Sequence, residues 1–166
     1  MGKVNALTSR DKNTASYPTA KTLIYGGFGG RFDQEMGCIN ALYVWGKKQS
    51  FKHISMALYG EETCAFVLPE MPKTNEVRIR FPNGDSTDWN GQTTVGEGPT
   101  CGLIPLGGRC ETVYTTGLKW NLDGDMPLEF GGLVSSSNRV VDGVVTVQSS
   151  SPLIFTTEIV SKQHGL

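Results

Sequence analysis

Gly, Pro, Asn and Ser clusters cut the chain into short apolar runs about every eight to twelve residues, and no window sustains a helical period. The 21 glycines and 8 prolines among 166 residues supply most of the breaks. Each proline removes a ladder donor, and each glycine weakens the interior of an element. Such punctuation suits short strands better than helices. The first six runs lie at TLIYGG (22–27), CINALYVWG (38–46), SFKHISMALYG (50–60), TCAFVLPE (63–70), NEVRIRFPNG (75–84) and STDWNG (86–91). Six more follow at TCGLIPLGG (100–108), ETVYTTGLKWN (111–121), PLEFGG (127–132), NRVVDG (138–143), VVTVQSSS (144–151) and PLIFTTEIV (152–160). The expectation is an all-β chain of about twelve short antiparallel strands.

Alternation inside the runs says which side chains turn inward. Ile54, Met56 and Leu58 oppose Ser55 and Ala57, and Val77, Ile79 and Phe81 oppose Arg78 and Arg80. One face is dry and the other wet, as in antiparallel sheet. The expected core therefore includes Ile54, Met56, Leu58, Val77, Ile79, Val145 and Val147. Turns at PNGD (82–85) and NLDGD (121–125) carry hairpin chemistry. Length fits one domain, 22–160, with an N-terminal extension at 1–21 and a C-terminal tail at 161–166. So many strands need a prism, a sandwich, a barrel or a jelly roll to close most of their edges.

Charge and cysteines narrow the function. The 15 Lys and Arg nearly balance 16 Asp and Glu, which leaves no footprint for nucleic acid beyond a mildly basic stretch with Lys3, Arg10, Lys12 and Lys21. No apolar run has the length of a membrane span, and residues 1–21 lack the apolar centre of a signal peptide. A cytoplasmic or non-classically released protein is expected. Cys38, Cys64, Cys101 and Cys110 form no close pair, and His53 and His164 complete no zinc set, so buried free thiols and no metal are expected. Asp123-Gly124-Asp125 lacks the other oxygen ligands of a calcium loop.

His53 with Gly84-Asp85-Ser86 has the residue types of a serine protease, but Thr87 replaces the expected glycine and the spacing is too short. Glu61, Glu62, Asp85, Asp88, Asp123 and Asp125 fall on turns, where acids solvate loops. The expectation is no enzyme and no cofactor.

YGGFGGRF (25–32) is the densest glycine stretch. Glycine serves where backbone takes positive φ or approaches another surface closely. It is read either as a tight turn or as a loop that clears space for a ligand, with Phe28 for stacking and Arg31 as a donor. Trp89 is a second exposed-looking aromatic, whereas Trp45 and Trp120 fit equally well as caps on sheet ends.

YGGFGGRFDQ, CINALYVWGKKQSFKHISMALY and ETVYTTGLKWNLDGDMPLEFGG, in that order, resemble the jacalin-related lectins over about residues 22–160. The resemblance implies a β-prism of three four-stranded Greek-key sheets and a non-enzymatic glycan-binding module. One wall of its sugar site would be Gly26, Gly27, Phe28, Gly29, Gly30 and Arg31, with Trp89 nearby. The family's aspartate loop falls at 151–155, where no aspartate stands, and Asp142 is the nearest acid. The sugar site is thus divergent or lost. A structural assembly subunit, such as a virion coat or decoration protein located in the virion, is the alternative. The partners expected are weakly held glycans or further copies of the chain in a homo-oligomer.

Overall fold

Glycines 26–30 lead not into a second strand but into a helix. In the computed structural model, which describes residues 22–48, 56–72, 74–79 and 95–161, helix α1 (Phe32–Lys48) replaces the strand expected at 38–46. Asp33 and Glu35 in the first turn and Lys47 and Lys48 in the last complement the helix dipole. Cys38, Ile39, Leu42 and Tyr43 recur at helical spacing and pack together against Leu58, Ala65, Val67 and Ile154. Truncating the buried Leu42 to alanine costs about 2–5 kcal/mol.

The helix is a crossover. It joins β1 (Thr22–Tyr25) to β2 (Met56–Tyr59), which pair in parallel with Tyr25 opposite Tyr59. β3 (Thr63–Leu68) turns back from β2 and pairs with β9 (Leu153–Ser161). β5 (Val95–Ile104) and β7 (Ser135–Arg139) complete a six-stranded sheet in the order β1-β2-β3-β9-β5-β7. β4 (Asn75–Arg78), β8 (Val144–Ser149) and β6 (Val113–Thr116) form a second, antiparallel sheet in the order β4-β8-β6.

Alternation sends successive residues to two cores. Ile154 faces the helix, whereas Leu153 and Phe155 join Leu68, Leu103, Val113, Val145 and Val147 between the two sheets. Phe66 and Phe155 are cross-strand partners there, their rings stacked with centroids 5.5 Å apart.

The expected all-β prism of three sheets is therefore replaced by a mixed sheet, backed by a helix on one face and a small sheet on the other. No closed barrel forms among the described residues. A parallel pair needs a long crossover, and α1 provides it. The run at 127–132 makes only isolated bridges, from Leu128 to Cys110 and Leu133, and the run at 86–91 lies outside the described residues. Much of the expected core is buried as read: Leu58, Val77, Ile79, Val145 and Val147, with Met56 half-buried and Ile54 outside the described residues. Cys64, Cys101 and Cys110 are buried and Cys38 half-buried, all four as free thiols. Residues 1–21 and 162–166 lie outside the described residues, while residue 161 belongs to β9.

Candidate functional site

Residues 26–31 carry the chain from β1 into α1. Gly26, Gly29 and Gly30 take φ values of 79°, 91° and 96°, which side chains resist. The Gly26 amide donates to Tyr59 O at 2.8 Å and prolongs the parallel ladder, and the Gly29 amide donates to Glu35 Oε1 at 2.6 Å. Gly27 is buried against Leu58, where a Cβ would come within 3.2 Å of Cδ2. Phe28 is half-buried, packed over Gly60 and into the helix-side core, so most of its ring is not a free platform. A strand, a glycine loop and a helix N-terminus in that order gather backbone amides and the positive end of the helix dipole at one place. Phosphate is the natural ligand of such a place.

Arg31 supplies the loop's cation. Its Nε and Nη2 donate to the two Asp33 carboxylate oxygens at 3.0 and 2.6 Å. That guanidinium holds the Asp33 carboxyl below its ordinary range. The pair is open to water, so little binds Arg31 to Asp33 when a more highly charged anion arrives.

Two cavities adjoin the loop. A smaller one of about 590 Å³ is lined by Gly26, Phe28 and Gly29. A larger one of about 850 Å³ runs from Tyr25 and Tyr59 over β9 to Thr100 and Ser136. The two share Tyr25, Gly60, Glu61, Glu62 and Thr63, so they meet at the β2–β3 turn.

A different aromatic stands on the smaller-sheet side. Trp120 is 54% exposed, with Lys119 Nζ 4.6 Å from its ring centroid. Its backbone is fixed from β7: Asn138 Nδ2 donates to Trp120 O at 2.7 Å, and Asn138 Oδ1 accepts from the Trp120 amide at 3.3 Å. Asn121 Oδ1 accepts from the Leu118 amide at 3.1 Å, and Thr115 Oγ1 accepts from the Leu122 amide at 2.8 Å. These bonds fix the backbone that carries the indole. Neither cavity is lined by Trp120.

The structure thus brings Gly26, Gly27, Phe28, Gly29, Gly30 and Arg31 together in one loop. Trp89 lies outside the described residues. Asp142 is exposed in the turn between β7 and β8, its amide donating to Gly117 O at 3.3 Å. β1 and β7 are opposite edges of the sheet, so Asp142 does not stand beside the loop. Sequence reasoning did not bring Tyr25 and Tyr59 together, while Glu61 and Glu62 stand on a turn as expected. Their grouping depends on parallel register, which an antiparallel reading cannot produce.

A six-stranded mixed sheet with a glycine loop entering a helix defines an α/β element, here joined to a small second sheet. Comparison with known proteins agrees and is more specific. Residues 87–154 match the family model described as thiamin pyrophosphokinase, vitamin B1 binding domain. The chain is 39% identical over 137 residues to Thiamine pyrophosphokinase 1 of Oryza sativa subsp. japonica, covering 82% of this chain and 44% of that protein. It is 35% identical over 144 residues to Thiamine pyrophosphokinase 2 of Arabidopsis thaliana, covering 87% of this chain and 45% of that protein. Thiamin pyrophosphokinase from Candida albicans superposes with a TM-score of 0.67 at 26% identity, over 84% of this chain and 44% of that one. The yeast enzyme superposes with a TM-score of 0.66 at 29% identity, over 83% of this chain and 39% of that one. This chain spans somewhat under half the length of these relatives.

These likenesses overturn the resemblance to jacalin-related lectins. The fold is that of thiamin pyrophosphokinases, not a prism. The relatives are enzymes, so the expectation of a non-enzymatic module is corrected, whether as a lectin or as a virion subunit. The glycan partner and the virion location fall with it. The lectin resemblance rests on spaced glycines and aromatics, a pattern that a strand-to-helix glycine loop and a turn of the smaller sheet satisfy equally well.

Proposed function

We propose that residues 22–160 work as the vitamin-binding sandwich and the glycine loop of a thiamine pyrophosphokinase, an enzyme that moves a pyrophosphoryl group from ATP to thiamine. The observation that carries this reading is the coincidence of two features. The vitamin B1 match spans the segment with the anchored, exposed Trp120, and the glycine loop lies on the same sheet framework. Trp120 offers its free face to the cationic, aromatic vitamin, and the ammonium already over the ring at 4.6 Å shows how that surface attracts a cation. Gly30, Arg31 and the N-terminus of α1 take the polyphosphate, with Arg31 leaving Asp33 to pair with it.

In the transfer, the vitamin's hydroxyl gives up its proton to water and its oxygen bonds to the β-phosphorus. The bond from that phosphorus to the α–β bridging oxygen breaks, and AMP leaves. Phosphoryl transfer draws on Mg²⁺ to neutralise the phosphates. Among the described residues no group of three or more His, Cys, Asp or Glu forms a metal cage. No step is assigned through a metal held by this segment.

Calorimetric titration of the full chain with thiamine tests the reading. Binding should weaken at least tenfold in Trp120→Ala and persist in Arg31→Ala. Equal binding by wild type and Trp120→Ala would remove the vitamin site from this turn.

A further inference from the structure

Two Asp-Gly pairs lie among the described residues, Asp123-Gly124 and Asp142-Gly143, and the fold treats them differently. Glycine has no Cβ to shield its amide nitrogen, so an Asp-Gly pair is where that nitrogen most readily reaches the preceding carboxyl group. At Asp123 the approach is opposed twice. Its Oδ1 accepts the Asp125 amide at 3.2 Å, and the Tyr114 ring covers Gly124 so closely that a Cβ there would lie 2.5 Å from it. At Asp142 neither restraint is present. Its carboxylate is exposed, with no hydrogen bond or ion pair among the described residues, and nothing lies within 4 Å of where a Gly143 Cβ would stand.

The open pair also grips the turn that carries Trp120. The Val141 and Asp142 amides both donate to Gly117 O, at 2.9 and 3.3 Å, and the Ile79 amide donates to Gly143 O at 3.1 Å. Gly117 opens the segment that leads to Trp120, and the Lys119 amide donates to Arg139 O at 2.8 Å just before the same turn. These bonds require a main chain of ordinary length. One more carbon between residues 142 and 143 would put them out of register.

We propose that Asp142-Gly143 is a modification site, where spontaneous isomerisation to isoaspartate loosens the Trp120 turn and creates a substrate for an S-adenosylmethionine-dependent isoaspartyl methyltransferase. The Gly143 nitrogen bonds to Asp142 Cγ as the carboxyl C–OH bond breaks, and the hydroxyl leaves with the amide proton as water. Water then adds to the ring at the main-chain carbonyl carbon of Asp142, whose bond to nitrogen breaks as a proton passes to that nitrogen. The chain now runs through Cβ and Cγ. The former carbonyl carbon has become a free carboxylate, and one of its oxygens takes the sulfonium methyl group. Loss of methanol from that ester re-forms the ring, and hydrolysis returns part of it to aspartate.

The full chain is aged in mildly acidic buffer, folded and in urea, and then digested with trypsin. Cleavage after Arg139 puts Asp123 on peptide 120–139 and Asp142 on peptide 140–162, and electron-transfer fragmentation locates the isoaspartate in each. Asn83-Gly84 and Asn90-Gly91, outside the described residues, fall on a third peptide. In the folded chain isoaspartate should accumulate at Asp142 at least about fivefold faster than at Asp123, the factor that one hydrogen bond is worth. In urea the two rates should converge. Aged wild type should melt below aged Asp142→Glu, whose longer side chain closes the ring far more slowly, and methyltransferase with S-adenosylmethionine should narrow that gap. Thiamine binding by the same samples should fall with the isoaspartyl fraction at position 142, a readout that rests on the proposed vitamin site. Equal rates in the folded chain, or a difference that survives in urea, would overturn the site. Aged wild type melting together with aged Asp142→Glu would overturn its grip on the turn. Fresh wild type that bound no thiamine would sink the vitamin reading, while the isoaspartate and melting results would still decide this one.

Discussion

Three glycine-to-alanine substitutions separate backbone strain from steric conflict at the turn that presents Trp120. Gly117 has φ of +80°, and a Cβ there would lie 2.3 Å from Val144 O and 3.2 Å from Val145 Cα. Those atoms belong to β8, the middle strand of the smaller sheet, whose Val145 and Val147 are fully buried. The backbone cannot move aside without disturbing that packing. Left-handed φ alone costs an alanine about 1–2 kcal/mol, and forcing a packed strand to shift adds about 1–3 kcal/mol. Gly117→Ala should therefore lose about 2–5 kcal/mol, a large share of the roughly 5–15 kcal/mol that holds a domain together. Gly131 has φ of +90° with open space around its Cβ, so Gly131→Ala should lose only the strain, about 1–2 kcal/mol. Gly143 has neither strain nor a neighbour within 4 Å, and its alanine variant should be within about 1 kcal/mol of wild type. Urea unfolding gives the three values, and thermal melting repeats them at about 2–4 °C per kcal/mol. If Gly117→Ala were no worse than Gly131→Ala, the close approach of the turn to β8 would be refuted.

Asn138→Ala leaves the Trp120 amide and carbonyl and the Arg139 amide without their side-chain partner. It should cost about 2–3 kcal/mol in urea unfolding and loosen thiamine binding, and a loss under about 0.5 kcal/mol would show the anchor to be unimportant. Burial pushes the Cys64 and Cys101 thiols up to about 11 from an ordinary 9.0. Between those values the unfolded chain has released protons that the folded chain retains, so stability is level below about pH 9 and falls as pH rises toward 11. Melting curves from pH 8 to 11 should fall more steeply for wild type than for the Cys64→Ala, Cys101→Ala double variant, and parallel curves would contradict the assignment.

Local chemistry made the strands legible, and the paired tertiary features remained hidden. VVTVQS and LIFTTEIV read directly as strands, and Val145, Val147 and Leu58 read as core, because alternation and β-branched content agree there. The helix was lost because CINALYVW is an apolar run too short and too continuous for periodicity to separate strand from helix. The acids at 33 and 35, the lysines at 47 and 48, and the spacing of Cys38, Ile39, Leu42 and Tyr43 carried the helical signal. Reading the helix would have turned the glycine stretch from a sheet turn into a strand-to-helix loop. Trp120 was beyond reach for another reason. Its exposure depends on Asn138, 18 positions away, gripping its backbone, and no local pattern announces such a contact.

Amide chemical-shift mapping of the isotope-labelled full chain, titrated separately with thiamine and with tripolyphosphate, tests the central claim most directly. The proposed function is a vitamin site on the sandwich turn and a phosphate site on the glycine loop of one framework. It predicts that thiamine shifts the amides of residues 117–122 and 138–139, and that tripolyphosphate shifts those of residues 26–35. Coincident footprints, or thiamine shifts confined to the glycine loop, would contradict it.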